Sequence, residues 1–179
     1  TMTVYTIESF NASQSQAGLA SGIFVIGSLI SRFLSGKYIE VIGRKKMLYG
    51  SLFLFLIAVL AYFPIDNLAL LLVVRFMHGV AFGVGTIVMP TVITDIIPSE
   101  RRGEGISYFS LSPALAMAIG PFLGLFIMQH AGYNIIFSVC SFFAVMGIII
   151  TLFARIPESK VTKEQMKAMQ GFKWQYFFE

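Results

Sequence analysis

The chain has 179 residues, of which 56% are hydrophobic and 12% charged, with a mean hydropathy of +0.79 and a formal net charge of +4. A soluble domain carries about 25% charged residues, so this apolar content, with 18 Phe, excludes an ordinary soluble core and points to a membrane protein. One cysteine, Cys140, excludes an intrachain disulfide and a cysteine-rich metal site; inside an apolar run it reads as a small buried or lipid-facing hydrophobe.

Residues 1–17 form an outer segment, in which Thr1–Ile7 reads as the outer end of a preceding helix that the sequence does not contain. Five apolar runs follow, Gly18–Ser35, Lys46–Phe63, Leu68–Ile93, Gly105–Gln129 and Asn134–Phe153. Each is near the roughly 20 residues that cross the hydrocarbon layer as a helix. Pro64-Ile65-Asp66-Asn67 and Ala131-Gly132-Tyr133 are turn-forming stretches. The expected organisation is all-α and polytopic: five spanning helices in residues 18–153, then the start of a central loop in residues 154–179.

Placement of the basic residues fixes the orientation. Lys37, Arg44, Lys45, Lys46, Arg101, Arg102, Arg155, Lys160, Lys163, Lys167 and Lys173 all fall on one side if the five runs span. The opposite side, 1–17 and the two short turns, has no Lys or Arg. Cationic loops stay cytoplasmic, so the C-terminal tail is expected inside. The basic balance is thereby explained by topology, and no nucleic-acid partner is expected. Arg32 is expected near the inner end of the first run, which leaves Arg75 as the arginine inside a helix.

Four stretches carry chemistry. In SGKYIEVIGRKK, Gly36, Glu40, Gly43 and Arg44 fit G-x-x-x-[DE]-x-x-G-R-[KR]-[KR]. Gly36 permits close approach of a neighbouring helix, Gly43 a tight reversal, and Glu40 can pair with a cation or sit at a helix N-terminus; an ordinary cytoplasmic turn is the plainer alternative. In LLVVRFMHGVAFGV, Arg75 lies about 10 Å below the outer end of its helix at 1.5 Å per residue. An arginine there is expected to face a polar interior or a partner, with Gly79 and Gly83 on its face and His78 beside it. In SPALAMAIGPFLGL, Ala116, Gly120 and Gly124 form a small-residue stripe and Pro121 removes a helix hydrogen bond. In TDIIPSERRGEG, Asp95 ends a helix, and Arg101 or Arg102 is placed to pair with Asp95 or Glu40.

Together these motifs resemble the major facilitator superfamily, most nearly its twelve-helix drug:proton antiporters. The opening dozen is similar to that family's loop between helices two and three, and Arg75 and Gly79 to the R-x-x-x-G of helix four. Gly120, Pro121 and Gly124 resemble the antiporter motif of helix five. Asp95, Pro98, Arg102 and Gly103 are similar to the loop after helix four. Gly132-Tyr133 with Phe137 resembles the start of helix six and Pro157-Glu158 its exit. The five runs would then be helices two to six of an N-terminal six-helix bundle. The chain depart from the pattern at Val41, where a cation is usual, at Glu40 in place of Asp, and at Ala116 and Leu125 in place of Gly.

The resemblance implies a secondary active transporter in a bacterial plasma membrane, exporting small lipophilic molecules in exchange for protons by alternating access. Gly36, Glu40, Gly43, Arg44, Asp95 and Arg102 would form a cytoplasmic latch, in which Arg44 and Asp95 would tie the loop to the helix that holds Arg75. Arg75 and Gly79 would serve proton coupling, and Gly120, Pro121 and Gly124 the rocking of helix five. His78, Phe82 and Met89 are weaker candidates for the cavity wall. The implied partners are a small-molecule substrate, protons, the bilayer, and the first helix and C-terminal half of the same transporter. No cofactor and no metal are expected. The two histidines, His78 and His130, are far apart, and the sequence has no H-E-x-x-H or G-x-S-x-G, so enzyme chemistry is not expected. A facilitator or exporter of an endogenous metabolite such as a sugar, and a non-transporting membrane scaffold, are the alternative readings.

Overall fold

The breaks between helices are short and each has a local cause. In the computed structural model, which describes residues 2–154 and 156, the order is α1 (Met2–Phe10), α2 (Gln14–Ile42), α3 (Arg44–Leu60), α4 (Leu68–Ile96), α5 (Arg102–Ala131) and α6 (Tyr133–Phe153). Ser13 opens α2 with a capping box: its hydroxyl accepts from Gln16 N at 3.2 Å and its own N–H donates to Gln16 Oε1 at 2.9 Å. Asn67 caps α4, its Oδ1 accepting from Leu70 N at 2.8 Å. Gly43, at φ +96°, is the single residue between α2 and α3. A side chain is strained at that angle, so glycine permits the reversal.

Four helical segments are long and apolar enough to cross a membrane: α2, α4, α5 with the 3₁₀ turn before it, and α6. With 17 residues, α3 is about 25 Å long at 1.5 Å per residue, at the lower edge of what spans. The first expected helix was bounded at Ser35, but α2 continues to Ile42. A helix is free to project beyond the hydrocarbon, and Lys37 and Glu40 are good helix formers. Gly36 and Glu40 are therefore helical rather than in a loop. The central loop, including Arg155, Pro157-Glu158 and the four tail lysines, lies outside the described residues apart from Ala154 and Ile156.

The seam between α2 and α4 is the centre of the bundle. Its register is parallel: Arg75 meets Ala20, 55 residues earlier, and Thr86 meets Arg32, 54 residues earlier. Two parallel neighbours require a return crossing between them, which α3 supplies. Backbones touch along the seam. A Cβ on Gly79 would collide with the Phe24 carbonyl, one on Gly83 with the Ser28 backbone and Ser31 Oγ, and one on Gly27 with the Phe76 carbonyl. Small residues at such crossings are what membrane helix packing selects, because lipid supplies no hydrophobic force between helices.

Two apolar clusters flank the seam. The outer one joins Tyr5, Ala20, Tyr62, Leu71, Val74 and Phe137; the inner one joins Ile39, Leu48, Val88 and Val92. Tyr62 stacks on Phe137 at 5.0 Å between centroids, bringing α6 to the end of α3, and Tyr49 Oη donates to the Thr151 carbonyl at 3.0 Å. By contrast, α5 has no buried residue along its length. Gly79→Val is expected to force the seam apart and cost about 1–3 kcal/mol, read as a lower unfolding temperature of the detergent-solubilised protein. An unchanged temperature would mean the backbones are not in contact there.

Candidate functional site

At the inner end, three helices converge on one guanidinium. Arg44 is the first residue of α3, placed by the Gly43 reversal one turn beyond Glu40 of α2. Its Nε donates to Glu40 Oε1 at 3.1 Å and its Nη2 to the same oxygen. Its Nη1 donates to Asp95 Oδ2, in the last turn of α4. Glu40 and Arg44 side chains are each 16% exposed, so solvent screens this bridge less than it would a surface pair. The two carboxylates outnumber the one cation, and Glu40 Oε2 has no partner among the described residues.

Two members of the expected latch lie apart from it. Arg102 opens α5, is exposed, and makes no ion pair among the described residues, while Arg101 pairs with Glu104 at 2.9 Å. Helix geometry explains the choice, since Arg101 and Glu104 are three apart around the start of α5. Gly36 approaches nothing: a Cβ there would have no neighbour within 4 Å.

Arg75 occupies the outer third of the seam and is 9% exposed. Its Nε donates to the Ala20 carbonyl at 3.0 Å and its Nη1 to Tyr62 Oη at 3.4 Å, while its Cζ sits 4.6 Å from the Phe24 ring centre. A desolvated cation over an aromatic face gains about 2 kcal/mol. The charge is thus met by a carbonyl, a phenol and a ring, with no carboxylate paired to it among the described residues. Gly79, one turn on, lets α2 come close enough for these contacts. His78 joins the same network through a 3.1 Å contact between its Nδ1 and Tyr62 Oη, and packs edge-on against Phe55 and Phe24. Its ring is enclosed by aromatics, whereas Phe82 and Met89 are exposed on α4.

The sequence reading missed Tyr62, Phe24 and Thr86, and with Thr86 the partner of Arg32. With α2 ending at Ile42, Arg32 lies 10 residues, about 15 Å, from its inner end. Its Nε donates to Thr86 Oγ1 at 3.0 Å and its Cζ lies 6.0 Å from the Phe82 ring centre. On α5, Gly120 has no neighbour within 4 Å of a Cβ, Pro121 is exposed and Gly124 half-buried. That helix motif faces open space within this chain, and α5 runs unbroken through Pro121.

This arrangement of long apolar helices, with arginines within them, is that of a polytopic membrane protein. The family model of the Major Facilitator Superfamily matches residues 1–178. The chain belongs to that superfamily and is an integral, multi-pass membrane protein. It is 31% identical to the efflux pump FUB11 of Gibberella fujikuroi, over 86% of this chain and 26% of that protein. It is 29% identical to polyamine transporter 2 of Saccharomyces cerevisiae, over 84% of this chain and 24% of that one. It is 26% identical to the multidrug resistance protein MdtL of Vibrio parahaemolyticus, over 90% and 39%. Among solved structures, the xylose transporter XylE from E. coli, inward open, superposes with a TM-score of 0.69 at 17% identity, over 94% of this chain and 49% of that one. The chain therefore spans about half of that structure and a quarter to two-fifths of these relatives.

The network around Arg75 makes a quantitative prediction. Tyr62→Phe removes one hydroxyl that serves both Arg75 and His78, and is expected to cost about 0.5–1.5 kcal/mol. In an Arg75→Met background the loss is expected to shrink, as measured by a double-mutant cycle on thermal unfolding. Strict additivity would show that the phenol and the guanidinium do not interact.

Proposed function

We propose that this chain belongs to the N-terminal half of a secondary active transporter that exports small lipophilic molecules in exchange for protons by alternating access. In this reading it acts in the plasma membrane with its basic end and C-terminal tail cytoplasmic, together with a first helix and a C-terminal half. The observation that carries the reading is the bridge from Glu40 through Arg44 to Asp95. It ties the inner ends of α2, α3 and α4 into one body that moves as a unit, and it leaves an oxygen of Glu40 for a helix N-terminus of the opposing half. That contact closes the inner side in the outward-open state and breaks as the halves rock. Relatives named as efflux pumps and a multidrug resistance protein support export.

Arg75 serves coupling by holding down the pKa of a carboxylate contributed by the first helix. Gly79 serves by admitting α2. Gly120, Pro121 and Gly124 serve as the small, bare face on which the opposing half slides.

The test uses the full-length transporter in inside-out membrane vesicles carrying a preset pH gradient. Adding lipophilic substrates is expected to collapse the gradient in the wild type and not in Arg75→Ala. A facilitator would move substrate with no collapse in either. Glu40→Gln is expected to shift the population toward the inward-open state by roughly tenfold, the effect of losing a charge-assisted contact. Cysteine labelling of inner-cavity positions from the cytoplasmic side reads that shift, and unchanged labelling would remove Glu40 from the latch.

A further inference from the structure

We propose that Arg32, with Thr86 and Phe82, is an anion-binding site of the transport cavity, and that the molecule carried has a carboxylate or an equivalent acidic group. The proposal rests on the transporter reading above and narrows its substrate class.

The argument starts from two arginines that the same seam treats differently. Arg75 is sealed by a carbonyl, a phenol and a ring. Arg32 is half-buried, and among the described residues only its Nε has a hydrogen-bond partner, the Thr86 hydroxyl. Thr86 donates its own proton to the Gly83 carbonyl at 2.8 Å, so its oxygen is left to accept from Arg32. This fixes the guanidinium at one edge and leaves the Nη1 and Nη2 edge, the geometry that grips a carboxylate with two parallel hydrogen bonds. Phe82, 41% exposed beside it, offers an apolar surface for the body of a lipophilic anion.

Lipid does not explain what covers this face. Arg32 lies eight residues, about 12 Å, in from Glu40 of the ionic joint along α2, and a guanidinium within a spanning helix is costly against hydrocarbon, so such residues face protein or a water-filled cavity. Nor does an acid among the described residues neutralise it. The described acids are Glu8 and Asp66 at the outer end and Glu40, Asp95, Glu100 and Glu104 at the inner end. None pairs with Arg32. With Arg75 enclosed, the open charge along the described seam is that of Arg32, which attracts an anion and repels a cation.

The test uses the full-length transporter in proteoliposomes and in detergent. The probes are salicylate, its uncharged analogue salicylamide, and tetraphenylphosphonium. The wild type is expected to transport salicylate and to be thermally stabilised by it, with salicylamide and tetraphenylphosphonium weaker in both. Arg32→Gln is expected to raise the apparent KM or Kd for salicylate by roughly tenfold or more and to leave salicylamide unchanged. Arg32→Lys is expected to keep part of the salicylate preference, which separates lost charge from a misfolded variant. Salicylate that stabilises the wild type through Arg32 but is not transported would overturn the efflux reading and leave the site standing. The proposal itself is overturned if salicylate neither stabilises nor is carried by the wild type. It is also overturned if Arg32→Gln is indifferent to salicylate, or impairs all three probes equally, since Arg32 would then be serving a carboxylate of the protein.

Discussion

Backbone contact between α2 and α4 is the constraint on which everything else in this chain depends. Inside a bilayer, burying a leucine against another leucine gains little over leaving it in lipid, so association rests on close packing and polar contacts. Gly79 and Gly83 bring α4 against Phe24 and Ser28 of α2. Only at that distance does the Arg75 side chain reach the Ala20 carbonyl and Arg32 reach Thr86. The glycines and the arginines are thus one device. The small residues bring the helices together, and the arginines then find partners on the opposing helix that they would otherwise lack at that depth.

The two ends of the seam are held by different physics because they face different solvents. The inner end lies where water and anionic headgroups stabilise charge, and there Glu40, Arg44 and Asp95 make an ionic joint whose members are partly exposed. Such a joint strengthens or weakens with small changes in distance and solvent access, as a contact that opens and closes must. The outer end is closed by rings: Tyr5 meets Tyr133 and Phe137 edge-on, and Tyr62 stacks on Phe137. Aromatic packing is insensitive to charge and salt. At this end it holds α1, α3, α4 and α6 together, with Tyr133 also donating to Glu8.

Much of this was readable from residue order. The PIDN turn before α4 and the Gly132 reversal depend on local chemistry and stand where it puts them, and four of the five apolar runs fall in helices long and apolar enough to span. The failures came from treating charge as a loop signal. Lys37 and Glu40 marked the end of a helix in the sequence reading, yet α2 passes through both and stops only at Gly43. Nothing in the spacing of Arg44, Arg101 and Arg102 says which reaches Asp95, because that depends on how α3 and α4 lie in space; the family resemblance implies Arg44, and the structure pairs Arg44 with Asp95. Tyr62 could have been noticed as a phenol at the end of an apolar run, 13 residues before the arginine it serves.

The distribution of exposure completes the picture. An amphipathic helix would show one apolar face and one polar face; α5 instead is apolar all round, with no residue buried and the small residues Ala116 and Gly120 in the open. Lipid alone would accept large side chains at every one of those positions. A run of small residues is informative only if another helix must come within backbone distance, as α2 does to Gly79. The bare faces of this chain are therefore of two kinds. The α5 stripe asks for a moving neighbour that brings shape and no charge. The face with Arg32, Thr86 and Phe82 asks for something that brings negative charge and an apolar body. Under the transporter proposed above, a sliding half on one side and a transient guest on the other would meet both demands, where a single rigid neighbour would not.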